Sequence, residues 1–172
     1  VEFSTKLESE DRYLSYAEAK EISGLNDNEF ENLKKETEKL ARFVSDIFKK
    51  GHIELWDGKF EFSLIPSSGE DREFMLVDSI GPDELRLIKD GVQISKERLR
   101  QFYVDSPWKK NVDKAKILAK ERNSQDWKDI CLKELNSTPE KLSPKSLEDV
   151  SWMYKDLTNG LALTLLNEKI FD

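Results

Sequence analysis

Phe30, Leu33, Leu40, Val44, Ile47 and Phe48 fall on the three- and four-residue spacing that gathers side chains onto one face of a helix. Asn26 or Asp27 is placed to cap that helix. Lys49 and Lys50 suit its negative end, and Gly51 supplies a residue able to take a left-handed turn. Directly after it the period changes. Ile53 to Leu64 reads as a strand, 66–71 as a polar connection whose tip resembles a ligand-covering loop, and Glu73 to Ile80 as a second strand. A long one-faced helix feeding a hairpin predicts an α+β fold, with a mainly antiparallel sheet flanked by helices.

Within the first strand, Trp56-Asp57-Gly58-Lys59-Phe60-Glu61-Phe62 is the segment richest in chemistry. Alternate side chains of an extended strand share a face. Asp57, Lys59 and Glu61 are therefore expected on one side, with Trp56, Phe60 and Phe62 on the other. Asp78 lies on the second strand, and pairing of the two strands would bring Glu61 and Asp78 together. Two adjacent carboxylates repel unless a cation sits between them, and a hard divalent metal with oxygen ligands removes that penalty. The pattern reads as a magnesium and phosphate site.

Composition narrows the alternatives. The chain has 172 residues, enough for one domain with its own core or for a lobe of a larger enzyme. Its formal charge of −7 argues against broad contact with nucleic acid, which requires a basic surface. Cys131 is the only cysteine, which excludes an internal disulfide and fits a reducing cytosol, and His52 is the only histidine, which excludes His-rich zinc sites. No apolar run reaches the roughly 18 residues of a membrane span. The opening Val1-Glu2-Phe3 reads as the interior of a strand, so a preceding segment is expected.

The remaining elements follow from local signals. Val1 to Lys6 reads as a short strand, followed by the polar loop Glu8 to Arg12. Ser15 and Glu18 form a capping-box pattern, and Gly24 stops the short helix that follows. After the Lys89-Asp90-Gly91 turn, Ser95 caps a helix bearing Leu99, Phe102 and Tyr103. Ser106-Pro107 opens a helix with Trp108, Val112, Ala115 and Ala119 inward. Ser124 or Asp126 opens another with Trp127, Ile130, Cys131 and Leu135 inward. Ser143-Pro144 opens the last, carrying Leu147, Val150, Tyr154, Leu157, Leu161 and Leu165, with Gly160 as a weak point. The expected organisation is an α+β part at 1–104 and a helical tail at 105–172 packed on it.

Two segments, Asp57-Gly58-Lys59-Phe60-Glu61-Phe62 and Asp78-Ser79-Ile80-Gly81-Pro82-Asp83-Glu84-Leu85-Arg86, resemble the SAICAR synthetase family. Members carry an Asp-x-Lys-hydrophobic-Glu-Phe-Gly strand and a following acidic segment that ends in Pro-Asp and a later arginine. Ser95-Lys96-Glu97-Arg98-Leu99-Arg100 is similar to a charged helix start in that family, and Phe3-Ser4-Thr5-Lys6 to a strand with a ligand-facing lysine. The likeness covers about Val1 to Tyr103, and the tail looks like an archaeal-type variant. Ser63, Ser79 and Gly81 depart from the pattern, standing where glycine, glutamate and serine are usual.

The resemblance implies the larger, carboxy-terminal lobe of a two-lobed, ATP-grasp-like fold, with a glycine-rich nucleotide lobe upstream. It implies ATP-dependent joining of L-aspartate to an aminoimidazole ribonucleotide carboxylate in purine biosynthesis, in the cytoplasm, by an enzyme that is often a homo-oligomer. No nucleic-acid or membrane partner is expected. Glu61 and Asp78 would hold magnesium, and Lys6, Lys59, Glu61 and Asp78 would face the ATP phosphates. Lys59 and Asp83 would act in catalysis; Asp57, Asp83, Arg86 and Arg100 would bind substrate, with Lys96 a lesser candidate. The isolated chain is expected to bind ATP poorly and not to turn over. The rivals are a small-molecule kinase of the inositol phosphate type and a non-catalytic interaction domain.

Overall fold

The computed structural model describes residues 1–6, 8, 11–66 and 72–172. These divide into two compact units, Val1–Asp90 and Gly91–Asp172. The division falls before the expected boundary at 104, because the segment from Val92 to Tyr103 clusters with the helices that follow it. Most of the 66–71 connection, and Ser9 and Glu10 of the 8–12 loop, lie outside the described residues.

In the first unit, β1 (Phe3–Ser4) pairs antiparallel with β2 (Tyr13–Leu14). Helix α1 (Tyr16–Ser23) starts from a complete Ser15–Glu18 capping box and ends at Gly24, whose φ of 63° costs a glycine little. Helix α2 (Asp27–Lys50) starts from a second capping box, Asn26 with Glu29. Its end differs from expectation. Gly51 keeps a φ of −88°, and His52 takes the left-handed conformation at 58°. The cause is a Schellman closure one residue later: His52 N–H donates to the Lys49 carbonyl and Ile53 N–H to that of Phe48, each at 3.0 Å. Ile53 and Phe48 are both buried at this join.

Four further strands carry the site. β3 (Glu54–Gly58) pairs antiparallel with β6 (Leu85–Lys89), and β4 (Phe62–Ile65) with β5 (Glu73–Leu76). The single strand expected over Ile53–Leu64 is therefore two strands, and the one expected over Glu73–Ile80 stops at Leu76. The break has a clear hydrogen-bond logic. Lys59 N–H still donates to the Glu84 carbonyl beside β6, whereas the Glu61 carbonyl accepts from Val77 N–H beyond β5, both at 3.0 Å. Phe60 is where the chain passes from one partner to the other. The Pro82-Asp83 turn signal hid β6 in the sequence, although Leu85, Leu87 and Ile88 are all buried.

The core of this unit gathers Ala19, Leu25 and Phe30, with Phe3, Leu14, Leu33, Leu64 and Phe74 packed on them. It therefore fastens β1, β2, α1, the start of α2 and the β4–β5 hairpin together. Phe3 stacks on Phe30 with ring centres 5.0 Å apart.

The second unit contains β7 (Val92–Gln93), α3 (Lys96–Gln101), α4 (Pro107–Glu121), α5 (Trp127–Asp129) leading into a π-helical turn (Ile130–Glu134), and α6 (Pro144–Leu166). Ser106 and Ser143 cap α4 and α6 ahead of their prolines, as their sequences predict. Ser95 stands at the start of α3, but its buried side chain makes no capping hydrogen bond. Val112, Ala115, Ala119, Ile130 and Cys131 form a core against which Trp108, Leu118, Trp127 and Leu135 pack. Gly160 does not interrupt α6. Of its expected inward residues Leu157 is buried, while Leu147 and Leu165 are about half exposed. No helix among the described residues is long and apolar enough to cross a membrane.

Candidate functional site

The geometry of Asp57, Lys59 and Glu61 is governed by a bulge. β3 and β6 align Leu55 with Leu87 and then Asp57 with Arg86, so Trp56 is the extra residue on β3. One added residue reverses the pleat phase. Asp57 thus leaves the face of Leu55 and meets the Arg86 guanidinium at 2.9 Å. Trp56 is 62% exposed and donates its indole N–H to Glu54 at 3.1 Å, so it does not form the expected aromatic backing. Asp57 balances Arg86 rather than Lys59. Both members of that pair are about half exposed, which makes it worth at most about 1 kcal/mol.

Glu61 is the centre of the more enclosed group. Its side chain is 15% exposed; one carboxylate oxygen accepts from Lys6 Nζ, and the other lies 3.5 Å from Lys59 Nζ. Lys59 in turn stands 3.7 Å from Asp11. Two ammonium groups and two carboxylates converge from the bend after β1, the loop before β2 and the crossing point at Phe60. The hydrophobic cluster that binds β1 to the β4–β5 hairpin brings Lys6 to Glu61 across 55 residues of sequence. Asp11 was not singled out in the sequence, because an aspartate in a polar loop carries no spacing signal.

Asp78 does not join this group. The β4–β5 register, continued through the Val77–Glu61 hydrogen bond, sets Glu61 opposite Val77 and Phe60 opposite Asp78. Asp78 sits in a bend and accepts from the following Ser79 amide at 2.9 Å. No cluster of three or more His, Cys, Asp or Glu residues suited to a metal occurs among the described residues. Magnesium, however, usually takes one or two carboxylates and completes its shell with water and phosphate oxygens. The hard carboxylate oxygens of Glu61 fit that donor chemistry, with the two lysines supplying charge for an anion.

Asp83 is exposed in the Pro82–Glu84 turn, where Glu84 accepts from Gly81 N–H at 3.0 Å and gives its carbonyl to Lys59. Lys96 and Arg100 lie on α3 in the second unit, with Arg100 paired to Glu97 at 2.9 Å.

One strongly held acid escaped the sequence reading. Glu29, in the first turn of α2, is 2% exposed, and its carboxylate accepts from Arg72 Nε and a terminal guanidinium nitrogen, each at 2.8 Å. It also accepts from the backbone amides of Arg72 at 3.1 Å and Asn26 at 3.0 Å. The Arg72 fork above all, then the two amides, hold the Glu29 carboxyl down at about 2. The sequence signal available was a glutamate three residues after a capping Asn; nothing marked Arg72.

Comparison with known proteins adds an independent line. The family profile for SAICAR synthetase matches residues 1–115. A protein of Archaeoglobus fulgidus, provisionally named phosphoribosylaminoimidazole-succinocarboxamide synthase, is 38% identical over all of this chain and 46% of its own length. The phosphoribosylaminoimidazole-succinocarboxamide synthase of Thermotoga maritima is 32% identical over 64% of this chain and 46% of its own. A crystal structure of the enzyme of that name from Ehrlichia chaffeensis aligns with a TM-score of 0.48 and 23% identity, covering 76% of this chain and 48% of the other. The chain spans about half the length of these curated relatives. With the profile matching well over half of its residues, the chain belongs to the SAICAR synthetase family.

Proposed function

We propose that this chain forms the magnesium- and phosphate-handling part of an ATP-dependent ligase that joins L-aspartate to the carboxylate of an aminoimidazole ribonucleotide. The observation that carries this reading is the meeting of Lys6 and Lys59 on the mostly buried Glu61, in a chain of this family.

A carboxylate is a poor acyl donor. In the proposed reaction a substrate carboxylate oxygen attacks the γ-phosphorus of ATP, and the bond to ADP breaks. The aspartate amine then attacks the acyl carbon of the resulting acyl phosphate, phosphate leaves, and the nitrogen gives up a proton. Such chemistry depends on alignment and on neutralising phosphate charge more than on a protein nucleophile. Bound magnesium would supply part of that neutralisation, held by Glu61. Lys6 and Lys59 donate to phosphate oxygens, and Lys59 also orients the substrate carboxylate. Asp83 orients the incoming amine or the substrate ring. Arg86 offers a planar fork to the 5′-phosphate, and Asp57 accepts from the ribose. The products leave as ADP, phosphate and the succinocarboxamide, in a cytoplasmic pathway.

The test is ADP release by the polypeptide as the cell makes it. The expected result is release that requires both L-aspartate and the ribonucleotide carboxylate, reduced by about a thousandfold in Glu61→Gln, on the scale of a lost charge-stabilising group. ADP release independent of aspartate would point to a kinase instead. An unchanged rate in Glu61→Gln would remove this site from the mechanism.

A further inference from the structure

Glu29 and Arg72 lie outside the group around Glu61, yet two side-chain hydrogen bonds and a backbone one join them, on a carboxylate that is 2% exposed. The bidentate fork fixes the angle of Arg72 as well as its position. A terminal nitrogen of the same guanidinium donates to the Gly24 carbonyl at 3.1 Å, so one side chain ties the end of α1, the first turn of α2 and the residue before β5. From Arg72 the ladder runs without a break through Glu73↔Ile65 to Leu76↔Phe62, then to the Val77–Glu61 hydrogen bond. The apolar contacts of Leu64 and Phe74 hold the hairpin on the helices, but such contacts are non-directional and tolerate sliding. A forked ion pair does not.

We infer that Glu29 and Arg72 are positioning residues, which fix how the β4–β5 hairpin seats on α1 and α2 and thereby set Glu61 against Lys6. The consequence for catalysis rests on the function proposed above for Glu61; the positioning itself does not. Breaking the pair loosens the hairpin at its far end, around Glu61 and Val77, while α2 keeps its structure through its apolar stripe.

Amide hydrogen exchange on the 172-residue chain tests this without metal or nucleotide, so the result is independent of what the site binds. Arg72→Lys keeps the charge and removes the fork; Glu29→Gln keeps the shape and removes the charge. Both are expected to speed exchange at Val77 and at the β4–β5 amides by about tenfold or more, with a clearly smaller acceleration at the Val44 and Phe48 amides of α2. A displaced Val77 amide resonance should accompany the faster exchange. Equal acceleration in α2 would mean that the pair only stabilises the unit, and would overturn the inference. So would unchanged exchange at Val77 in both variants.

Discussion

The first unit holds 22 acidic and 13 basic residues, and the second holds 13 acidic and 15 basic. The net −7 of the chain is thus the sum of a strongly acidic unit and a slightly basic one. Their construction differs as well. The second unit is mostly helix with one short strand and one π-helical turn, its two long helices capped by Ser106 and Ser143 and its core closed around the small side chains of Ala115, Ala119 and Cys131. The first unit builds its candidate site from departures from regularity: a bulge at Trp56, a change of partner at Phe60, and a bend at Asp78. Regular elements position by repetition; these irregular ones re-aim single side chains, as a functional site requires.

If the two units differ in this way, mutations should separate them. The largest effect is expected from Leu87→Ala, since Leu87 is completely buried on β6. A loss of about 3 kcal/mol should appear in urea denaturation, with exchange protection failing in the first unit while the Val112, Ala115 and Ala119 amides keep theirs. Simultaneous collapse of both units would break the comparison. The mirror experiment is Ala115→Leu, which overfills a site with no exposed surface. About 2 kcal/mol should be lost, reported by the fluorescence of Trp108 and Trp127, with β3–β6 amides unaffected.

A smaller and subtler contrast lies in pH. The Glu29 carboxyl is held at about 2 in the fold against an ordinary 4.5. Its contribution is therefore complete above about 4.5 and lost as pH falls from there toward 2. Melting of the first unit should weaken over that window, and less steeply in Glu29→Gln. In the second unit Arg122 likewise holds Glu134 low, but that pair is about half exposed, and screening makes its acid dependence weaker. An identical acid limb in wild type and Glu29→Gln would remove Glu29 from the balance.

Much of this was legible from residue spacing. The stripe from Phe30 to Phe48 gave α2, the Ser-Pro pairs gave α4 and α6, and Ser15–Glu18 gave the first cap, because each signal is local. What escaped was non-local. A two-residue alternation cannot reveal the bulge that reverses its own phase, so neither the Asp57–Arg86 pair nor the exposure of Trp56 is readable from it. The handover at Phe60 depends on β6, which turn residues concealed. Lys59 and Glu61 were identified because they lie two residues apart, whereas Lys6 was reached through family likeness, and Asp11 and Arg72 through the fold alone.

The proposed chemistry requires phosphate and a divalent ion to meet at Glu61. Manganese can stand in for magnesium as a paramagnetic probe, and its broadening of amide signals reports proximity even when binding is weak. With ATP present, the signals of Glu61, Val77 and Asp78 should broaden, and Glu61→Gln should abolish the effect. Broadening confined to other residues, or retained in full by Glu61→Gln, would contradict the assignment.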